Sequence, residues 1–242
     1  VAAERGPSVT LYEKKGSVGG LLEFANNVKG PHENLSVLRS YFERQMEVLG
    51  VNVMLNTEAT ADIIAEASPD IVIAATGGVR DTLGLSDTAG TKVVGIDDFM
   101  MADIAEEVVI VGSNVQAIDA AMYLLAQGKH VQVVTPNAAS AIGAGHSFWV
   151  KTFTQPNMKA LGVRFWPEAT VTAVNDGSVT VKTATGIEQE IACGTVVEAL
   201  DCLPNDSLST GLSCEVVTVG DAARPFNIGE AICSGNAAAR AI

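Results

Sequence analysis

The chain is short of bases, of aromatic residues and of charge altogether. Its 15 lysines and arginines stand against 28 acids, for a net charge of -13, and aromatic residues make up 5% of it. An acidic balance of this size argues against nucleic acid and against anionic membrane surfaces as partners. No apolar run approaches the roughly 18 residues that read as a membrane span. The four cysteines, Cys193, Cys202, Cys214 and Cys233, form no C-x-x-C pair. A zinc ribbon, a redox dithiol or a cluster motif is therefore not expected within the chain. Scattered thiols, with no basic n-region leading into an apolar h-region, fit a reducing cytoplasm. No metal-ligand spacing links His32, His130 and His146. No Ser/His/Asp or Cys/His arrangement is readable either, so no catalytic residue and no metal ligand is assigned.

What is present is a core-forming composition. Hydrophobic residues make up 48% of 242 positions and charged residues 18%, which excludes wholesale disorder and allows one large domain or two small ones. The chain opens at Val1 with a stretch, Val1 to Gly6, that reads as a helix tail closed by glycine. That opening is the mark of a fragment, so a missing targeting peptide says little about the parent. Ser8 to Tyr12 is β-rich and ends at Glu13, with Gly19 and Gly20 in the loop beyond. Leu35, Leu38, Phe42, Met46 and Leu49 recur at helical spacing, and Val51 to Leu55 is the next strand. A short helix over Thr60 to Ala67 leads to a buried parallel strand from Asp70, which runs into Ala74-Ala-Thr-Gly-Gly78. Residues 84–98 have no regular period and read as loop.

Val108 to Val111 then starts a second strand–turn–helix, with a helix over Ala117 to Gln127 and a strand over Lys129 to Thr135. Asn137 to Pro156, rich in Ala, Gly and Ser, reads as loop, before a short helix over Asn157 to Leu161 and a strand over Val163 to Trp166. A hairpin turns at Asn175-Asp176-Gly177. Ile187 to Ala192 extends that meander, and Thr195 to Leu200 is a further strand. The tail, a strand over Val216 to Asp221 and a helix over Ile228 to Ile242, is too small to stand alone and is expected to return to the first unit. Met100, Met101, Phe148 and Trp149 read as core or interface.

Four constellations could carry chemistry. Glu13 sits where a carboxylate accepts from ribose hydroxyls after the second strand of a dinucleotide-binding βαβ unit, with Gly19 and Gly20 beside it; a plain surface acid is the competing reading. Thr76 and Gly77 let a ligand approach the carboxyl edge of a sheet, or simply form a tight turn. Gly112-Ser113-Asn114-Val115-Gln116-Ala117 stands where G-x-G-x-x-G/A belongs, with Asn114 in place of the middle glycine. Asparagine tolerates left-handed backbone better than most residues but brings a side chain. The strand that follows ends at Thr135-Pro136, with neither the acid that reads NAD nor an arginine for NADP. Gly220-Asp221 before the last helix offers a carboxylate and a helix N-terminus to a phosphate–ribityl group, or is an ordinary cap.

In this order the motifs resemble the two-dinucleotide-binding-domain flavoproteins. Within them they resemble the C-terminal region of the NADH:flavin oxidoreductase group, which includes 2,4-dienoyl-CoA reductase, enoate reductases and trimethylamine dehydrogenase. The carrying stretches are Val9 to Lys14, Gly19-Gly20-Leu21, Gly50 to Thr60, Pro69 to Gly77, Val108 to Gly112, Gly128 to Val131 and Gly220-Asp221.

The resemblance implies an α/β fold of two Rossmann-like dinucleotide-binding domains, the first truncated at its N-terminus. Residues 1–98 with 213–242 would bind FAD or ADP, and 99–212 would be the NAD(P)-binding-like domain. It implies Glu13, Gly19, Gly20, Thr76, Gly77 and Asp221 at the flavin nucleotide, and Gly112, Ser113, Asn114 and Ala117 at NAD(P)H. It also implies a barrel with FMN and a [4Fe-4S] cluster outside this chain, and it leaves a homo-oligomer open. The first strand and its glycine turn would precede Val1, and their loss would leave open strand edges. Two departures weaken nicotinamide binding: Asn114, and Asp201 where the group has Ala-x-Gly. Three functions stay open. Intact glycine turns favour a hydride-passing electron-transfer module. Asn114 and Thr135 favour an ADP-holding scaffold of an amine-dehydrogenase-like enzyme. The absent first strand favours an assembly domain without nucleotide.

Overall fold

The computed structural model describes residues 1–30, 34–208 and 211–242. His32 lies outside them. In chain order the elements begin with β1 (Thr10–Tyr12), α1 (Leu21–Lys29), α2 (Leu35–Val48), β2 (Asn52–Met54), α3 (Ala61–Ala67), β3 (Ile71–Ala74) and β4 (Val79–Arg80). Next come β5 (Lys92–Gly95), β6 (Glu107–Val111), α4 (Val115–Ala126), β7 (His130–Val134), α5 (Phe148–Ala160) and β8 (Arg164–Trp166). A meander follows, of β9 (Ala169–Asn175), β10 (Ser178–Thr183) and β11 (Glu188–Ala192). The chain closes with β12 (Thr195–Glu198), β13 (Cys202–Leu203), β14 (Glu215–Thr218) and α6 (Ile228–Ala241). It forms two compact units, Val1–Val79 with Cys202–Ile242, and Arg80–Asp201.

The second unit is a parallel sheet in the order β5-β12-β6-β7-β8, covered in part by the β9-β10-β11 meander. Every residue of β6 from Val108 to Val111 is at most 2% exposed. A central parallel strand is covered on both faces, which is why its sequence is apolar without alternation. The meander alternates instead: Val179 and Val181 of β10 point inward and meet Val109, Val111, Val171 and Ile191. Fully burying a side chain of this size contributes about 1.5–3 kcal/mol. Helix α4 buries Ala117, Ala120 and Ala121 beside Ile118 and Leu124, and the small residues let the helix axis lie close to the sheet.

The first unit holds two parallel ladders, β1 with β2 and β3 with β14, which share no hydrogen-bonded strand. In β3 only Ala74 is buried. The sequence reads this strand as buried throughout; among the described residues β14 is the one strand paired with it. No residue of α2 is buried, and Phe42 of its apolar stripe is exposed.

Several further readings are corrected. Residues 84–98 contain β5, whose pairing with β12 from Lys92↔Thr195 to Gly95↔Glu198 places this stretch in the second unit. The unit boundary therefore falls at Arg80, where the sequence reading places it at 99. At the other end Asn205 N donates to Ala222 O (2.9 Å), so the chain has joined the first unit well before 213. Residues 21–29, unassigned from the sequence, form α1. The expected loop of 137–156 ends in α5, which begins at Phe148 and carries Pro156 inside it. Of the core and interface readings of Met101 and Phe148, their exposure, 92% and 72%, excludes the core one.

Candidate functional site

The clearest site is the turn between β6 and α4. Gly112 leaves the strand at φ 136°, and a Cβ there would lie 2.1 Å from the carbonyl oxygen of Ala199. Only glycine fits both the backbone angle and the contact. Its N–H donates to Val134 O (2.9 Å), which fixes the turn to β7. The Ser113 hydroxyl accepts from Thr135 Oγ1 (3.1 Å) and from Asn137 Nδ2 (3.0 Å). Thr135 is fully buried, so the end of β7 presents a neutral hydroxyl cluster where an acid or an arginine would read a ribose.

Asn114 differs from the sequence expectation. Its backbone is extended, φ -72° and ψ -179°, not left-handed. It is the N-cap of α4, its Oδ1 accepting from Ala117 N at 2.9 Å. The amide nitrogen donates to Ala199 O (3.1 Å), Leu200 O (3.2 Å) and Asp201 Oδ1 (3.0 Å). Gly112, Ser113, Asn114 and Ala117 are thus brought together in one turn. The backbone of that turn fits the close approach a dinucleotide needs, and the Asn114 side chain narrows it.

Three neighbours of this turn escape the sequence reading. Gly143 N donates to Ser113 O at 2.6 Å, and Ala144 bridges Asn114, so the loop after β7 runs alongside. His146 in that loop stands 3.5 Å from Asp119 of α4, both little exposed. Arg80 binds Asp97 through two bonds (2.9 and 2.8 Å) and donates to Gln116 in the first turn of α4. Their only sequence signals are the paired glycines Gly143 and Gly145 and isolated charges far apart in the chain.

In the first unit the predicted residues stand at or just beyond the carboxyl ends of β1, β3 and β14. Glu13 follows β1, and its Oε1 accepts from Lys15 N (2.8 Å), which fixes the carboxylate. Gly19 and Gly20 lead into α1 with φ 115° and 50°, and the stem of Arg39 lies against Gly19. Gly77 follows β3 at φ 75° with open space where a side chain would be. Asp221 accepts from Phe226 N (3.2 Å), and Gly220 N donates to Ser234 Oγ (2.9 Å) on α6. No hydrogen bond among the described residues joins Glu13, Thr76 and Asp221 to one another. A mainly apolar cavity of about 410 Å³ opens beside the loop after β1, walled by Val18, Met46, Val51, Val53 and Leu55.

Two titrating groups away from the turn, Cys193 and His130, are shifted. Burial pushes the Cys193 thiol up to about 11. The hydrogen bond that His130 donates to the Glu107 carboxylate, with that group's charge, raises exposed His130. No metal-binding cluster and no helix long and apolar enough to cross a membrane occurs among the described residues.

A parallel sheet with a glycine turn into a helix, interrupted by a meander, defines a dinucleotide-binding class of α/β protein. Residues 70–199 match the family model described as pyridine nucleotide-disulphide oxidoreductase, and the chain belongs to that family. It is 34% identical over 139 residues to the NADH oxidase of Thermoanaerobacter brockii, covering 55% of this chain and 21% of that protein. It is 34% identical over 136 residues to the cinnamate reductase of Clostridium sporogenes, covering 55% and 20%. The chain thus spans about a fifth of the length of these curated relatives. Among solved structures, a 2-naphthoyl-CoA reductase complex superposes with a TM-score of 0.84 at 30% identity, over 97% of this chain and 36% of that one. Histamine dehydrogenase from Rhizobium sp. 4-9, at 22% identity and a TM-score of 0.82, covers all of this chain and 41% of its own, and shares the fold. These relatives agree with the resemblance to the nucleotide-binding region of the NADH:flavin oxidoreductase group.

Proposed function

We propose that this chain is the nucleotide-binding electron-transfer module of a cytoplasmic NAD(P)H-dependent flavin oxidoreductase. The observation that carries the reading is the Gly112 turn, whose backbone contact with Ala199 gives the form a dinucleotide-binding turn needs. When bound, FAD and NAD(P)H supply the redox chemistry, a hydride passing from nicotinamide to flavin. The chain's own residues bind and orient. Glu13, fixed by Lys15 N, accepts from ribose hydroxyls. Gly19, Gly20, Thr76 and Gly77 leave backbone accessible to the flavin nucleotide, and Asp221 faces its ribityl or pyrophosphate part. Gly112, Ser113, Asn114 and Ala117 face NAD(P)H. A partner domain with a cluster and FMN, in the parent beyond this chain, takes the electrons onward. The separate ladders of the first unit support a further strand joining them, from the parent or from a neighbouring chain.

A second reading has its own observation. The Asn114 side chain and the Asp201 carboxylate crowd the second turn, which favours a scaffold that holds ADP without hydride transfer. An absorbance spectrum of the purified protein, with nucleotide analysis after heat release, separates the two. Flavin absorbance and released FAD support the electron-transfer module. A colourless protein releasing ADP supports the scaffold. A colourless protein releasing no nucleotide overturns both.

A further inference from the structure

The Gly112–Ala117 turn carries an occupant of its own. Ala117 N–H can only donate, so the Asn114 atom facing it is the amide oxygen, and the NH2 group must face the other way. There it meets three acceptors, the carbonyls of Ala199 and Leu200 and the Asp201 carboxylate, all within 3.2 Å. One side chain therefore takes up a helix N–H and tethers the segment leaving β12. The N-terminus of a helix carries partial positive charge and exposed N–H groups, which is why phosphates bind there. In this turn Asn114 satisfies one of those groups, and Asp201 supplies a negative charge bonded to the capping residue itself. The cation Arg80, which also reaches Gln116 in the first turn of α4, is bound by Asp97 through two bonds, and Asp201 adds a further negative charge beside the turn. The two departures from the glycine pattern, 87 residues apart in sequence, are one hydrogen-bonded pair.

We infer that Asn114 and Asp201 act together as a built-in competitor for the pyrophosphate of a pyridine nucleotide and hold this site at low affinity. The inference rests on the reading of the second unit as the NAD(P)H site. An incoming pyrophosphate meets the Asp201 charge and finds Ala117 N–H already taken. Loss of the charge alone tightens binding, and loss of both side chains tightens it further.

The test is calorimetric titration of the purified protein with NADH. D201N keeps an acceptor for Asn114 and removes the charge; N114G/D201G removes the whole pair. D201N is expected to bind about fivefold tighter and the double variant more than about tenfold tighter, the range of one to a few charge-assisted contacts. Raising the salt concentration narrows the gap between wild type and D201N, which a merely structural role would not do. Far-UV circular dichroism checks folding, and D201N alone decides the matter if the double variant does not fold. NADH binding that is equal or weaker in D201N overturns the inference and leaves the NAD(P)H reading standing. No NADH binding by wild type or by any folded variant overturns that reading, and the inference with it.

Discussion

Gly112 and Ala199 touch backbone to backbone: a Cβ on the glycine would stand 2.1 Å from the alanine oxygen. The contact joins the start of α4 to the end of β12, so the turn is held by the sheet and not by its own loop. Gly112→Ala adds a clash to a φ of 136° that L-residues avoid, and the two together cost about 3 kcal/mol or more. Gly186, at φ 84° with no atom near its missing side chain, is the reference; Gly186→Ala costs about 1 kcal/mol. Urea unfolding of the two variants checks this. Equal losses would mean that strain alone, and not the Ala199 contact, fixes Gly112.

Much of this architecture is legible in local pattern. The unbroken apolar run of β6 marks a central parallel strand, and alternation about Gly177 marks the β9–β10 hairpin. Gly112 is legible because it ends an apolar strand and opens a helix. What stays hidden depends on partners remote in sequence. β5 has two apolar residues between lysine and glycine, and is a strand only because β12 pairs with it. α5 is masked by Pro156, and α1 by the glycines before it and by Asn26-Asn27 within it. The cap role of Asn114 is local, but its bonds to Leu200 and Asp201 span more than eighty residues, and no spacing rule reaches them.

The support of Asp221 by α6 gives a second prediction. Ser234 Oγ accepts from Gly220 N at 2.9 Å and donates to Ala231 O at 3.1 Å. Ser234→Ala leaves a partly buried N–H without its acceptor, at a cost of about 1 kcal/mol. Asp221 is the next residue, so flavin-nucleotide retention should fall along with the melting temperature. Ser234→Thr, which keeps the hydroxyl, should restore both. A variant that loses stability and keeps its nucleotide would separate Asp221 from the binding site.

Among the described residues the Glu13 side chain accepts one hydrogen bond, at 2.8 Å from Lys15 N, while its backbone pairs with Met54 and Thr57 whatever the side chain. Glu13→Ala should leave the melting temperature of the nucleotide-free protein within about a degree, as surface changes of under 0.5 kcal/mol do. Its affinity for added FAD or ADP should drop about tenfold, the worth of a charged hydrogen bond to ribose. Calorimetry reads both quantities. Unchanged affinity would return Glu13 to the role of a surface acid.

Cys193 is buried and its thiol is pushed from 9.0 up to about 11, while Cys233 is exposed. The thiolate is the reactive form, so a disulfide reagent near pH 8 should modify Cys233 quickly and Cys193 only on unfolding. The raised value also carries a pH dependence. Below 9.0 the thiol is protonated in both states; between 9.0 and about 11 the unfolded thiol ionises first, and stability falls as pH rises. Cys193→Ala should remove that part of the alkaline loss. A mass-spectrometric time course and urea curves between pH 8 and 11 test the two halves separately.

His130 and Glu107 form the simplest switch in the second unit. The Nδ1 of His130 lies 2.7 Å from Glu107 Oε1 at an exposed site, and the carboxylate raises the imidazole above its ordinary 6.5. Below 6.5 the ring is charged whether the chain is folded or not, and the pair contributes fully to stability. As pH rises through the higher folded value the charge is lost, and the contribution goes with it. Solvent screening keeps the effect small, so the ring itself is the better observable. Nuclear magnetic resonance should show His130 titrating above 6.5 in wild type and lower in Glu107→Gln, which removes the two largest causes of the rise. A His130 titration that does not move on Glu107→Gln would show that the pair does not persist in solution.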